Sequence, residues 1–154
     1  MVVWANQMIE KLKEVSFYIV VAIAITGVSN WVGSGFLNKY LEENLITLLI
    51  ALLAINTTTS SVVMTKLKDI ADATGGDFSS TVSQLEYSIY EQIVYIVLAV
   101  VILIFSGSKK ILGFHESVNV ILEVLLAAVF VAAMHTLFDT AKSIFVILRY
   151  ENRK

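Results

Sequence analysis

Long apolar runs separated by short polar segments divide this chain. About twenty apolar residues in an α-helix, at a rise of 1.5 Å each, cross a hydrocarbon core of roughly 30 Å. The sequence contains four runs of this kind, and it has no proline to interrupt them. The pattern predicts an all-α membrane protein with four transmembrane helices, over residues 17–36, 45–64, 89–105 and 117–148.

The N-terminal segment before the first run is amphipathic. Trp4, Met8 and Leu12 recur at helical spacing, while polar residues such as Lys11 occupy the other face. Residues 1–15 therefore form a helix that either lies on the membrane surface or continues the first span.

The helical pattern of the second run continues past its apolar part. Val63 and Leu67 stay on one face, and the pattern stops at Gly75 and Gly76, because glycine just past a helix is a common cap. Capping residues after the glycines start the third helix. The sequence thus predicts a short helical hairpin over residues 65–88. The third helix is expected to bury a stripe of apolar residues: Phe78, Val82, Leu85, Ile89, Ile93 and Ile96.

Composition supports a lipid environment and excludes several functions. Hydrophobic residues make up 57% of the 154 residues and charged residues 16%, which is more apolar than soluble domains usually are. A net charge of -2 argues against bulk nucleic-acid binding. Without cysteine, the chain has neither disulfides nor thiolate metal ligands.

The distribution of lysine and arginine predicts the orientation, because basic residues concentrate in cytoplasmic segments. With the N-terminus inside, the inner segments carry more basic residues than the outer ones. The inner ones are Lys11, Lys13, Lys66, Lys68, Arg149, Arg153 and Lys154, against Lys39, Lys109 and Lys110 outside. Both termini and the hairpin are therefore expected in the cytoplasm.

Six consecutive hydrogen-bonding residues, 56–61, lie within the second predicted span. Such side chains need partners other than lipid. At helical spacing, one face of this helix carries Asn56, Thr59, Ser60 and Val63. This face predicts either the lining of a pore in a homo-oligomer or a helix-helix packing surface.

The fourth helix carries an acidic face formed by Glu116, Asn119 and Glu123. Ionisable groups within a span normally face a bundle interior or water. Repeated around an axis, Asn119 and Glu123 would line a cation-selective pore. Alternatively, Glu123 reaches headgroup water by snorkelling.

A second polar face of the fourth helix carries His135, Asp139 and Lys142 at spacings i, i+4 and i+7. An imidazole held by a carboxylate forms a proton-sensitive switch or relay. The other interpretation is a structural polar network with a neighbouring helix.

Motifs of catalysis and cofactor binding are absent from the sequence. It contains no GxGxxG, P-loop or HExxH pattern. Its two histidines, His115 and His135, lie at opposite ends of the fourth helix. The sequence thus predicts no enzyme activity, no catalytic residue, no metal site and no cofactor.

The order of these parts resembles small four-helix transmembrane effectors of bacterial antiphage defence systems. The resemblance is carried by short spans, the polar run at residues 54–61, and the segment at 66–70 that leads into the hairpin. It implies a multi-pass protein of the bacterial inner membrane that assembles into oligomers and compromises that membrane. The chain lacks the nucleotide-sensing domain of known effectors, so a sensing partner subunit would be required.

The leading functional hypothesis is a homo-oligomeric membrane channel or pore-forming subunit, in contact with membrane lipid. The alternatives are a non-conducting scaffold that recruits a soluble cytoplasmic partner protein, and a holin-like lysis protein. For the channel and the scaffold, the hairpin is the expected docking or gating surface, with Lys66, Lys68, Asp69, Gly75 and Gly76 as candidate residues.

Overall fold

A computed structural model of the protein describes the backbone of residues 2–108 and 116–151, and the side chains of residues 9–108, 117–143 and 145. These ranges hold four helices: α1 (Val2–Trp31), α2 (Phe36–Thr74), α3 (Ser79–Ser106) and α4 (Glu116–Glu151). Each helix is long and apolar enough to cross a membrane. The predicted all-α class is confirmed, and the four helices have the length and apolar character expected of a multi-pass membrane protein.

The N-terminal segment and the first span form one uninterrupted helix, α1. The helix ends at Trp31, short of the predicted boundary at residue 36, because Gly33 takes the left-handed conformation with φ of +69°. The amide of Ser34 then donates to the carbonyl of Ser29 at 2.9 Å, and the amide of Gly33 donates to the carbonyl of Asn30 at 3.1 Å. This pair of bonds is a Schellman cap.

The second helix begins earlier than the sequence pattern predicts. The segment between the first two predicted spans is helical from Phe36 onward. Leu41 and Leu45 explain the difference, because both are buried and continue the inward face of the following span at helical spacing. Charged residues between them point outward.

Helix α2 ends at the predicted glycines. Its 39 residues correspond to about 58 Å at 1.5 Å per residue, well beyond a hydrocarbon core of roughly 30 Å. Gly75 has φ of +69°, and its amide donates to the carbonyl of Ala71 at 2.7 Å, which forms a left-handed cap. The predicted helix end at Gly75 is confirmed.

Two compact units are formed by different parts of these helices. The first unit comprises Met1–Ile46 and Val97–Ala132, and the second comprises Thr47–Ile96 and Ala133–Lys154. The first unit buries leucines of α2 and α4 among small residues. Small side chains let membrane helices approach closely. The small buried residues of this unit are Ala22, Ala99, Ala127, Ala128 and Ala132.

The core of the second unit is more polar than that of the first. Leu49, Val63 and Leu67 are buried on α2, but Asn56 and Ser60 occupy the same face between them. Buried polar residues also come from α3 and α4: Gln92, Thr136 and Thr140.

The buried face of α3 differs from the predicted apolar stripe. Leu85, Gln92 and Ala99 are almost fully buried at intervals of seven residues, whereas Ile93 is 43% exposed. The stripe prediction assumed that the most apolar face points inward. Lipid is as apolar as isoleucine, so inside a membrane the large aliphatic residues can face outward and the small or polar ones inward.

Candidate functional site

Side-chain contacts between α2, α3 and α4 connect three helices of the second unit. The Asn56 amide nitrogen donates to the Ser88 hydroxyl oxygen at 3.1 Å, and the hydroxyl oxygens of Ser88 and Thr140 lie 3.4 Å apart. We call the polar layer the set of inward polar residues that surrounds these contacts. It consists of Asn56, Ser60, Ser88, Gln92, Thr136 and Thr140.

Two hydroxyl groups of the polar layer, those of Ser88 and Thr140, are also bonded to their own helices. Ser88 donates to the carbonyl of Leu85 at 2.9 Å, which leaves its oxygen free to accept from Asn56. Thr140 donates to the carbonyl of Thr136 at 3.1 Å. Local bonds of this kind satisfy a hydroxyl proton inside a helix without a partner from another helix.

Several buried atoms of the polar layer have no hydrogen-bond partner among the described residues. They are the Asn56 side-chain oxygen, the Ser60 hydroxyl, and both the nitrogen and the oxygen of the Gln92 amide. A buried polar group without a hydrogen-bond partner lowers the free energy of unfolding by about 1–3 kcal/mol. The polar layer therefore has unused donor and acceptor capacity.

The hydrogen bond between Asn56 and Ser88 also shows where residues 56–61 of α2 lie relative to the charge-free stretch of α3. Ser88 precedes Glu91, after which α3 carries no charge up to Ser108, and Thr140 follows Asp139 on α4. The polar layer thus lies where the charge-free stretch of α3 begins. Residues 56–61 thus lie in the half of the charge-free stretch of α2 that is nearer the hairpin.

The opposite face of α2 is lined by small and hydroxyl-bearing residues. Thr58, Ser61 and Thr65 are exposed, and each donates its hydroxyl proton to the carbonyl four residues earlier, at 2.8, 2.9 and 3.0 Å. Small exposed residues continue this face toward the N-terminal end of α2, at alternating spacings of four and three residues. We call the whole set the outer stripe: Thr47, Ala51, Ala54, Thr58, Ser61 and Thr65.

Exposed residues elsewhere on the membrane-spanning helices are mostly large and apolar. Examples on α2 itself flank the outer stripe, at Ile50, Ile55 and Val62. On α1, α3 and α4 the exposed positions include Val20, Ile23, Val28, Val94, Val97, Val101, Ile104, Ile121, Leu125 and Phe138. The outer stripe differs from this surface in both size and polarity.

The predicted pore-lining face of α2 points into the second unit. Asn56, Ser60 and Val63 are buried there, and Thr59 is half-buried beside them. Whether this face also meets an axis between copies stays a prediction, since it concerns an assembly of several chains.

The acidic face of α4 lies in the first unit. The Glu123 carboxylate is half-buried and receives a hydrogen bond from the Asn38 side chain, with Glu42 close enough to interact electrostatically. Asn119 is exposed one turn earlier. Glu123 therefore has a partner within its own chain that sequence periodicity did not identify.

Two members of the predicted trio on α4 lie close together. The His135 Nδ1 atom lies 3.4 Å from an Asp139 carboxylate oxygen, and both side chains are more than a third exposed. Lys142 is exposed further along the helix. The structure thus brings His135 and Asp139 together at the surface of the second unit.

The hairpin between α2 and α3 has a small hydrophobic core of its own. Val63, Leu67 and Leu85 are buried in it, with Met64, Phe78 and Val82 packed against them. The charged candidates Lys66, Lys68 and Asp69 are exposed.

The turn of the hairpin is tightly specified by its residues. A Cβ on Gly76 would come within 3.0 Å of the Phe78 ring, so this position favours glycine. Asp77 caps α3, because its carboxylate accepts the backbone amide of Ser79 at 2.9 Å. This backbone bond, and secondly a bond from the Ser79 hydroxyl, lowers the pKa of Asp77 below its ordinary value.

Sequence reasoning missed the partners of the polar side chains that it singled out. Ser88 with Gln92, and Thr136 with Thr140, are pairs at spacing i, i+4. Polar pairs at this spacing on otherwise apolar helices are a detectable signal of an inward polar face. Asn38 gave no comparable signal, because it lies between the first two predicted spans.

In the two ranges of the chain that the structure describes, no group of three His, Asp or Glu residues is placed to hold a metal ion. Comparison with protein-family models, curated proteins and solved structures finds no match to this chain.

Proposed function

We propose that the protein is the subunit of a homo-oligomeric membrane channel or pore, assembled so that the outer stripe of α2 faces the common axis. The observation that carries the proposal is the contrast between this face and the rest of the exposed surface. Large aliphatic residues on the other helices suit contact with lipid, whereas small residues suit close approach between copies of a helix.

The hydroxyl groups of the outer stripe supply the chemistry of a water-filled path. Thr58, Ser61 and Thr65 have each committed their proton to a backbone carbonyl, so their oxygen atoms present lone pairs outward. Rings of neutral oxygen acceptors can replace part of the hydration shell of a cation. The proposed path therefore favours water and cations over anions.

In this proposal both termini and the hairpin face the cytoplasm, which the excess of basic residues in those segments supports. Because α2 continues into the hairpin without a break, a force on the hairpin would be transmitted to the outer stripe. The hairpin is then the gate or the site at which a partner acts.

Ion flux through liposomes containing the purified protein tests the proposal. Thr58→Leu and Ser61→Leu place bulky apolar groups on the axis and should each reduce the flux by about tenfold or more. Thr57→Leu is a matched control, because Thr57 is exposed but lies off the stripe. Equal flux in all three variants would overturn the assignment of the outer stripe.

A second measurement covers the case in which the leucine variants fail to assemble. The chain has no cysteine, so a single Thr58→Cys substitution introduces the only thiol. A charged, water-soluble thiol reagent should block the flux through Thr58→Cys and leave Val97→Cys unaffected. Protection of the thiol at position 58 would argue against a water-filled path.

The resemblance to antiphage effectors supports a specific cellular role, that of an effector which depolarises the bacterial inner membrane. Expression in a bacterial host should collapse the membrane potential reported by a voltage-sensitive dye. Thr58→Leu should preserve the potential at equal protein levels. An equal collapse with the wild-type protein and Thr58→Leu would show that the loss of potential does not depend on conduction along the outer stripe.

A second candidate function is favoured by the hairpin, whose own hydrophobic core can hold a stable surface outside the membrane. In this case the protein is a scaffold for a soluble cytoplasmic partner. Lys66→Glu with Lys68→Glu should then abolish co-purification of that partner from the native host, while Lys39→Glu should not. Loss of flux in the Lys66/Lys68 double variant would favour gating over docking.

A further inference from the structure

The polar layer contains three side chains that are almost completely buried and yet have unpartnered atoms. Asn56 and Ser60 are 0% exposed and Gln92 is 2% exposed. Among the described residues, no partner is within hydrogen-bond reach of the Asn56 oxygen, the Ser60 hydroxyl or either polar atom of Gln92. Gln92 shares a helix face with Ser88, the residue that Asn56 contacts, so these side chains point into the same core.

The unpartnered atoms belong to one chemical class, which identifies the ligand. Every member of the polar layer is a neutral amide or hydroxyl. The Gln92 amide presents both a donor and an acceptor, and an exchange of its nitrogen and oxygen positions leaves this inventory unchanged. A cation would serve only the oxygen atoms and an anion only the N–H groups, whereas water donates and accepts.

We propose that the polar layer is an internal water-binding site. Buried water molecules typically make about three hydrogen bonds to polar groups that are otherwise unsatisfied. Water at this position bridges the Asn56 oxygen to the Gln92 amide and serves the Ser60 hydroxyl. The direct contacts of Ser88 with Asn56 and Thr140 form the rest of the site.

Apolar residues bound the site along α2 in both directions. Val63 and Leu67, buried together with Leu85, lie on the hairpin side of Ser60. Leu49 is 2% exposed and lies two turns from Asn56 on the other side. The water molecules are thus resident ones rather than part of a continuous path, and the site is distinct from the outer stripe.

The water-binding site determines how α2 is rotated. In a helix bundle, a polar layer between apolar layers favours the helix rotation in which its polar side chains contact each other. Asn56 must face α3 and α4, and the opposite face of α2 is then the outer stripe. This inference does not depend on conduction, because it concerns only the packing of the second unit.

Water-edited solid-state NMR on the reconstituted full-length protein tests the proposal directly. The sequence contains three glutamines, Gln7, Gln84 and Gln92, so labelling with ¹⁵N-glutamine gives three side-chain amide signals. The signal that disappears in Gln92→Met assigns the buried one. Its magnetisation from water should build up at the rate of the exposed Gln84 amide.

The outcomes separate water from other occupants. A build-up much slower than that of the exposed Gln84 amide would overturn the proposal in favour of a dry core. A shift of the Gln92 signal that depends on sodium or potassium concentration would overturn it in favour of a bound cation.

Stability gives an independent reading of the same site. Gln92→Met removes a side chain that water satisfies, so it should lower the unfolding midpoint or leave it unchanged, and Gln84→Met should have no effect. A raised midpoint for Gln92→Met would show that the amide is unsatisfied, because replacing an unsatisfied buried amide by an apolar group is stabilising. That result would overturn the proposal.

Discussion

Neighbouring residues of α2 meet opposite surroundings. Asn56 is fully buried and donates to Ser88 on α3, whereas Thr58 is exposed and donates to its own helix at Ala54. Two residues turn a helix by about 200°. The polar run is therefore divided between the interior of the chain and its outer face, and single substitutions can separate the two roles.

Removal of the Asn56 side chain should destabilise the packing of the second unit. Asn56→Ala deletes the 3.1 Å bond to Ser88, and interhelical hydrogen bonds in membrane proteins contribute about 1 kcal/mol. Asn44→Ala is the matched control, since the hydrogen bond that the described residues show for Asn44 is to the carbonyl of Tyr40 on its own helix. Equal unfolding free energies for the two variants in a denaturing-detergent titration would contradict the role of Asn56.

Periodicity identifies polar residues but not their partners. The shared face of Asn56 and Ser60 could be predicted, because a helix repeats every 3.6 residues. The contact with Ser88 requires the register between α2 and α3, which depends on the length and conformation of the connecting turn. A single sequence does not specify that register beyond the Gly75 cap.

At the scale of the helices, the sequence best predicts the positions at which they are capped. Gly75 ends α2 because its φ of +69° suits glycine, and Asp77 then caps α3. Helix α2 begins at Phe36, before the predicted span, and its inward leucines at 41 and 45 lie among polar residues around Lys39. A helix longer than a membrane span can include charged residues in its sequence. Charged residues alone therefore do not indicate a loop.

Acidification should weaken the start of α3. The pKa of Asp77 is lowered in the folded protein, so the ionised carboxylate stabilises the fold. This contribution is complete above the unfolded-state pKa of about 4 and is lost as the pH falls through the lower folded-state value. Amide hydrogen exchange at residues 79–82, followed as the pH is lowered from about 5 to about 2, should show this loss.

Asp77→Asn provides the control for this pH dependence. The amide oxygen of asparagine can still accept from Ser79, but it does not titrate in this range. After correction for the intrinsic exchange rate, protection of residues 79–82 should therefore be independent of pH in the variant. The same pH dependence in both proteins would assign the effect to another group.

At the scale of the whole chain, the membrane-spanning segments are predictable and their orientation around each other is not. Apolar length alone predicts four spans, because lipid sets the required length. Apolar periodicity on α3 identified Leu85 correctly but not the stretch around Ile93, which faces outward while Gln92 faces inward. For a chain that lipid surrounds, the informative residues are the small and polar ones, and on α2 they occupy two opposite faces.

We predict that copies of the whole molecule associate through the outer stripe. If copies of α2 meet at this face, single cysteines there should form disulfide-linked dimers when native membranes are oxidised, because Cα atoms of a disulfide lie within about 7 Å. Thr58→Cys should cross-link readily. Val97→Cys, exposed on α3, and Asn56→Cys, buried in the chain, should not. Cross-linking at position 97 but not 58 would place the contact between copies on α3 and leave the outer stripe facing lipid.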